Sequence, residues 1–244
     1  MRAIFDVAPG EGADRSLLVM LPGATDRPED FVEQGFIQAV RACGVSIDVV
    51  AVDAHMDYYL EHSVVERLET DVIAPARAKG YRRIWLMGIS LGGMGALAYA
   101  RGHEMDVEGV ILLAPFLGTR GLIAEVVRAG GLDRWQSGKI ESNDEERALV
   151  AWLKDYRPDK AGSARIYLAY GRGDRYSPAS EMLAQRLPAE RVLIMEGGHD
   201  WPTWLRLWKH LLRRDLFLAG GQMLRPEVRP PQDSPQSADS GRTQ

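Results

Sequence analysis

The chain predicts an α/β fold, a mostly parallel central sheet with helices on both faces, carrying a small helical cap insertion. Three observations point there. Short apolar runs rich in branched residues recur along the 244 residues, as strands buried on both faces require. Amphipathic stretches of helical period separate those runs, so consecutive strands are joined by crossovers and lie parallel. With 45% apolar residues, a chain of this length can fill the core of one main domain.

Ser16 to Leu21 reads as the first buried strand, and Pro22-Gly23-Ala24 ends it in a turn. Pro28 then opens a helix whose apolar face includes Phe31, Val32, Phe36, Ile37 and Val40. Ser46 to Val52 is the next strand. A helix with Val64, Val65, Leu68 and Val72 on one side follows it, with Ser63 and Glu66 spaced as a capping box and Pro75 placed to kink or shorten it. Arg83 to Ile89 and Val107 to Leu113 are further strands, with a helix of small residues after Ser90 between them.

From Phe116 to Ser163 the alternation breaks. Leu122, Ile123, Val126 and Val127 mark one amphipathic helix that Gly130-Gly131 would stop. A second begins at a capping box from Ser142 to Glu145 and carries Ala148, Leu149, Trp152 and Leu153. Two helices without a strand between them are expected to form a cap over the strand ends, residues 116–163 of a domain spanning 1–218. Alternation resumes with strand Ala164 to Tyr170, helix Pro178 to Leu187, strand Arg191 to Met195 and a helix from Pro202 to Leu218. Residues 219–244, rich in proline, serine and charge, are expected to remain disordered.

A formal charge of -4 argues against a nucleic-acid binder, which carries a basic stripe. No apolar stretch reaches the roughly 18 residues that span a bilayer. The lone cysteine, Cys43, has no intramolecular partner for a disulfide, and Asp6 interrupts any apolar core of a secretory signal. A cytoplasmic protein is expected. Oligomeric state leaves no trace in the residues.

The chemistry centres on Gly88-Ile89-Ser90-Leu91-Gly92, a G-x-S-x-G pattern between a strand and a helix. A serine at such a turn is held above the carboxyl edge of the sheet, with glycines leaving room for close neighbours. Its hydroxyl needs a base to attack at neutral pH. His199 lies between the last strand and the last helix, at that same edge. The imidazole needs a carboxylate to fix its tautomer, and Asp174 follows the preceding strand. Asp200 is the rival carboxylate, better placed to cap the final helix. His62, His103 and His210 read as surface residues. His55 also leaves a strand end, with Tyr58, and is expected at the pocket rim at most. Trp135, Tyr176 and Trp201 are candidates for the pocket wall. No ligand cluster for a metal is evident.

The order Ser90, Asp174, His199, each at a strand's end, resembles the α/β-hydrolase superfamily over about Ser16 to Leu218, and within it the esterase and thioesterase-type hydrolases. The resemblance implies a serine hydrolase of carboxylic esters or thioesters, needing no cofactor, with a small-molecule substrate. It also implies an oxyanion site from the N–H groups of Leu91 and Ala24. The family often has His-Gly where this chain has Pro22-Gly23-Ala24, which leaves Gly23 beside Ala24 as a donor, since Pro22 has no N–H. The same residues could serve an acyltransferase or carrier-protein thioesterase. A hydrolase fold can also serve as a non-catalytic ligand-binding protein.

Overall fold

A computed structural model describes residues 1–9, 16–160, 162–214 and 216–217. Among them seven strands form one sheet: β1 (Ala3–Asp6), β2 (Ser16–Leu21), β3 (Asp48–Val52), β4 (Arg83–Ile89), β5 (Gly109–Leu113), β6 (Arg165–Gly171) and β7 (Val192–Met195), in the order β1-β3-β2-β4-β5-β6-β7. Every neighbouring pair is parallel except β1 with β3, where Ala3 faces Val52. β1 is an addition to the sequence reading, which found no strand before Ser16. The edge strands β1 and β7 are half exposed, so their residues carry a weaker apolar signal than β2, β3 and β5, which are buried throughout.

The helices are α1 (Pro28–Glu33), α2 (Phe36–Ala42), α3 (Met56–Leu60), α4 (Val64–Leu68), α5 (Ala74–Ala78), α6 (Leu91–Gly102), α7 (Arg120–Arg128), α8 (Glu145–Asp155), α9 (Ser177–Ala184) and α10 (Trp201–Leu212). Three local expectations are corrected. The single helix expected after Pro28 is broken in two at Gly35, whose φ of 81° ends α1 and starts α2. No capping box forms at Ser63, whose hydroxyl turns back to the Tyr58 carbonyl. The box expected at Ser142 is replaced by Asp144, which accepts the Arg147 N–H at the start of α8. Pro75 acts as its chemistry demands: a π-helical turn, Glu69–Ile73, absorbs the missing donor before α5.

The chain runs from β2 outward to β3, then crosses back to β4 and continues in the other direction. The connections leaving β2 and β4 therefore run in opposite directions from the carboxyl edge, the switch point where open α/β sheets bind ligands. Helix α6 sits close behind it, because Gly92, Gly93, Gly95, Ala96 and Ala98 are all buried and let its backbone approach the strands. The core is continuous on both sheet faces, with Trp85, Trp208, Tyr99, Phe31 and Phe36 among its largest fully buried side chains. In the insertion, α7 and α8 are tied to each other: Arg147 pairs with Glu125, and Glu146 accepts the Thr119 N–H at 2.7 Å. Residues 219–244 lie outside the described residues.

Candidate active site

Ser90 sits between β4 and α6 with φ 50° and ψ -114°, a conformation costly for a residue with a side chain. Backbone bonds hold it there: its N–H donates to the Leu113 carbonyl at 3.0 Å, and its carbonyl accepts from Phe116 at 2.8 Å and Gly93 at 3.0 Å. The glycines around it are required by contact. A Cβ at Gly88 would lie 2.2 Å from the Gly92 carbonyl oxygen, and one at Gly92 would lie 2.2 Å from that of Leu21. The turn after β4 is thus pressed against the loop after β2, so Gly23 lies beside the Ser90 side chain.

Two loops bring the partners in. After β6, the Arg172 N–H donates to the Met195 carbonyl and the Gly173 N–H to that of Gly197, at 2.8 and 2.9 Å. A Cβ at Gly171 would meet the Gly197 oxygen at 2.3 Å. These contacts join the loops after β6 and β7 and so set Asp174 against His199. The His199 Nδ1 is 2.7 Å from Asp174 Oδ2, and its Nε2 is 3.0 Å from Ser90 Oγ. Asp174 Oδ1 accepts the Tyr176 N–H at 2.7 Å, so both carboxylate oxygens are engaged. The side chain of Asp174 is 1% exposed and that of His199 13%. A carboxylate can only accept; facing one, Nδ1 carries the proton and Nε2 is left as the acceptor toward the hydroxyl. Tyr176 and Trp204 pack edge-on against the imidazole at 4.8 and 4.9 Å, restricting its rotation.

Asp200 is committed elsewhere. Its Oδ1 accepts the Thr203 N–H at 2.8 Å as the N-cap of α10, and that bond holds its carboxyl below the usual range. Asp200→Ala should cost about 1 kcal/mol at neutral pH, toward the lower end because the carboxylate is exposed. A depressed folded-state pKa means the contribution is complete above the unfolded value, about 3.9, and is lost as pH falls through the folded one. Urea midpoints of the two proteins should therefore differ at neutral pH and converge in strong acid; a gap independent of pH would remove the carboxylate from this role.

Around these three residues opens a cleft of about 1280 Å³. Gly23, Ala24 and Leu91 line it beside Ser90, and Tyr176 and Trp201 form part of its wall. Neither the Ala24 nor the Leu91 N–H has a backbone partner among the described residues. Two sequence expectations are corrected. Trp135 is 1% exposed and away from the cleft: its indole N–H donates to Glu125 at 2.8 Å and Arg147 covers its ring, so it holds the insertion together. His55 packs its ring at a tilt against Tyr58, centroids 4.2 Å apart, outside the cleft lining.

Sequence reasoning also missed three residues. His62, read as a surface residue, lines the cleft and lies 3.1 Å from Glu145 of α8, bridging the two sides of its mouth. Asp26 folds its carboxyl over Gly23 and accepts the Trp201 indole N–H at 3.3 Å; burial pushes its pKa up, against the pull of that hydrogen bond. Tyr59 brings a buried hydroxyl to the cleft wall beside Gly95. No periodicity marks loop residues such as His62 and Asp26. Tyr59 reads as an ordinary core aromatic.

An open sheet of this topology, with serine, imidazole and carboxylate in file at its carboxyl edge, defines the hydrolase class of α/β proteins. The chain belongs to the alpha/beta hydrolase family, whose model matches residues 18–232. Among solved structures it is similar to a ferulic acid esterase, with 18% identity and a TM-score of 0.61 over 86% of this chain and 96% of that one. A monoacylglycerol lipase of Paleococcus ferrophilus matches with 16% identity and a TM-score of 0.58 over 88% and 98% of the two chains. An S-formylglutathione hydrolase from Agrobacterium tumefaciens matches with 14% identity and 0.57 over 88% of each. At such identities the likeness is one of fold. No curated protein matches the chain. No helix among the described residues is long and apolar enough to cross a membrane.

Proposed function

We propose that this chain is a serine hydrolase cleaving a carboxylic ester or thioester through an acyl-enzyme on Ser90. The observation that carries the reading is the unbroken file from Asp174 through His199 to Ser90, at 2.7 and 3.0 Å. In it, the Ser90 Oγ attacks the carbonyl carbon while His199 Nε2 takes the hydroxyl proton. The resulting imidazolium is stabilised by Asp174 and returns the proton to the leaving alcohol or thiol. The N–H groups of Leu91 and Ala24 stabilise the oxyanion. Water, deprotonated by His199, then releases the acid and frees Ser90. Residues 116–163 act as the cap: Phe116, Glu141 and the start of α8 contribute to the wall of the cleft together with the loop after β2.

Hydrolysis of p-nitrophenyl acetate and butyrate, with covalent labelling by a fluorophosphonate, tests this reading. The absence of both turnover and labelling would refute it. The role of Asp174 has its own test. Asp174→Asn keeps an acceptor for the Tyr176 N–H but presents an amide to the imidazole, favouring the wrong tautomer. A fall in kcat of about 10⁴ is expected, with KM changed little. A fall of less than tenfold would mean that another carboxylate orients His199.

A further inference from the structure

Beyond Tyr176 lies a second, smaller cavity of about 330 Å³, which shares Phe116, Arg175 and Tyr176 with the main cleft. Its floor is apolar, with Pro115, Leu117, Ile123 and Ala179 among the lining residues, and no carboxylate lines it. Two guanidinium groups do. Arg120, at the start of α7, and Arg175 both approach the Tyr176 ring, at 5.8 and 4.9 Å from its centroid. Elsewhere among the described residues, Arg67, Arg147 and Arg165 also cover aromatic rings and pair with Asp71, Glu125 and Glu108, whereas Arg191 covers Tyr167 without such a pair. Neither Arg120 nor Arg175 forms such a pair among the described residues. The carboxylate next to Arg175 in the chain, Asp174, is turned inward to His199 and the Tyr176 N–H.

The charge is sorted between the two cavities. The main cleft is lined by Asp26, Glu141, Asp144, Glu145, Glu146 and Asp200, with Arg175 on the boundary it shares with the side cavity, whereas the side cavity has Arg120 and Arg175 on an apolar wall and no carboxylate, in a chain of net charge -4. An anion is repelled from the first and drawn to the second. Guanidinium groups held over a ring are oriented for a planar carboxylate or a phosphate. The side of the reaction follows from the proton path. His199 Nε2 delivers its proton to the leaving group, so the leaving group lies on the His199 side, and of the two rings that flank His199, Tyr176 and Trp204, Tyr176 is the one that also lines the side cavity.

We propose that the side cavity is a binding site for an anionic group at the far end of the substrate's leaving alcohol or thiol, with an apolar linker crossing Tyr176 and Arg120 and Arg175 holding the anion. The proposal rests on the hydrolase reading above. Its test compares ω-acetoxycarboxylates with the corresponding neutral ω-acetoxyamides, following acid release in a pH-stat. The carboxylates should be favoured in kcat/KM by about tenfold or more, through KM, and added salt should erode the preference. Arg120→Gln with Arg175→Gln should bring the ratio of the two substrates toward one. Arg120→Lys with Arg175→Lys should keep part of it. Half-esters of dicarboxylic acids, which put the anion on the acyl half, should show no such preference.

Equal handling of carboxylate and amide, a preference confined to the half-esters, or a ratio unmoved by both Gln substitutions overturns the proposal. Binding of the two ligands to Ser90→Ala protein, read by calorimetry, tests the site without turnover. Tighter binding of the carboxylate that disappears in the Gln variants supports it, and equal binding overturns it. Turnover of both ligand types without discrimination would refute the side cavity and leave the hydrolase reading standing. Discrimination in binding without any turnover would do the reverse.

Discussion

Ser90→Ala is expected to lower kcat by about 10⁴ to 10⁶ and to abolish fluorophosphonate labelling, with little change in KM. With Oγ gone, His199 keeps its bond to Asp174 but has no hydroxyl to activate. Attack must then come from water, unpositioned for the carbonyl. Some acceleration persists because the N–H groups beside the oxyanion remain. Since serine and base act as one unit, Ser90→Ala combined with His199→Ala should be scarcely slower than Ser90→Ala alone. Thermal stability should move by less than about 1 kcal/mol, because one hydroxyl is removed and no cavity opens in the core. A folded Ser90→Ala protein that still labels, or that retains more than a tenth of the wild-type rate, would sink the acyl-enzyme mechanism.

The order of the three residues could be read from the chain because each follows a buried strand, and buried parallel strands leave a continuous apolar run. Ser90 follows Arg83–Ile89, Asp174 follows Arg165–Gly171 and His199 follows Val192–Met195. The shape of the pocket was not legible in the same way. Trp135 and Trp201 look alike as residues, yet the Trp135 indole N–H is taken by Glu125 inside the insertion while that of Trp201 reaches Asp26 in the cleft. Which elements each tryptophan packs against decides between them, α7 and α8 for Trp135 and the loop after β2 for Trp201. His62 reaches the cleft because α3 and α4 meet in a turn where its φ is 56°, opposite Glu145, which lies more than eighty residues further on. Caps failed for local reasons: Ser63 turns its hydroxyl back to the Tyr58 carbonyl, and Asp144 stands two residues nearer α8 than Ser142. β1 escaped notice because it is a short edge strand, half exposed and preceding the parallel alternation.

Gly92→Ala should damage the protein twice, and the two effects separate experimentally. The added Cβ would lie 2.2 Å from the Leu21 carbonyl oxygen and 2.5 Å from that of Pro22. These are backbone atoms and cannot rotate away, so the turn after Ser90 and the loop after β2 must part. Overpacking of this kind costs about 1 to 3 kcal/mol, seen as a lower urea midpoint. The same displacement moves Leu91 away from Gly23 and Ala24, pulling apart the N–H groups that would hold the oxyanion. Misplacing one such donor lowers kcat by about 10² to 10³, and because the charge develops only in the transition state, KM should hardly change. Gly102→Ala supplies the control on the same helix: a Cβ there meets nothing within 4 Å, and alanine should stabilise by up to about 1 kcal/mol without touching kcat. Assayed well below its melting temperature, Gly92→Ala separates loss of folded protein from loss of chemistry, since fluorophosphonate titration counts the competent serines. If kcat per labelled serine equals that of wild type, the close approach of the two loops serves packing alone, and the oxyanion site must be built from other donors.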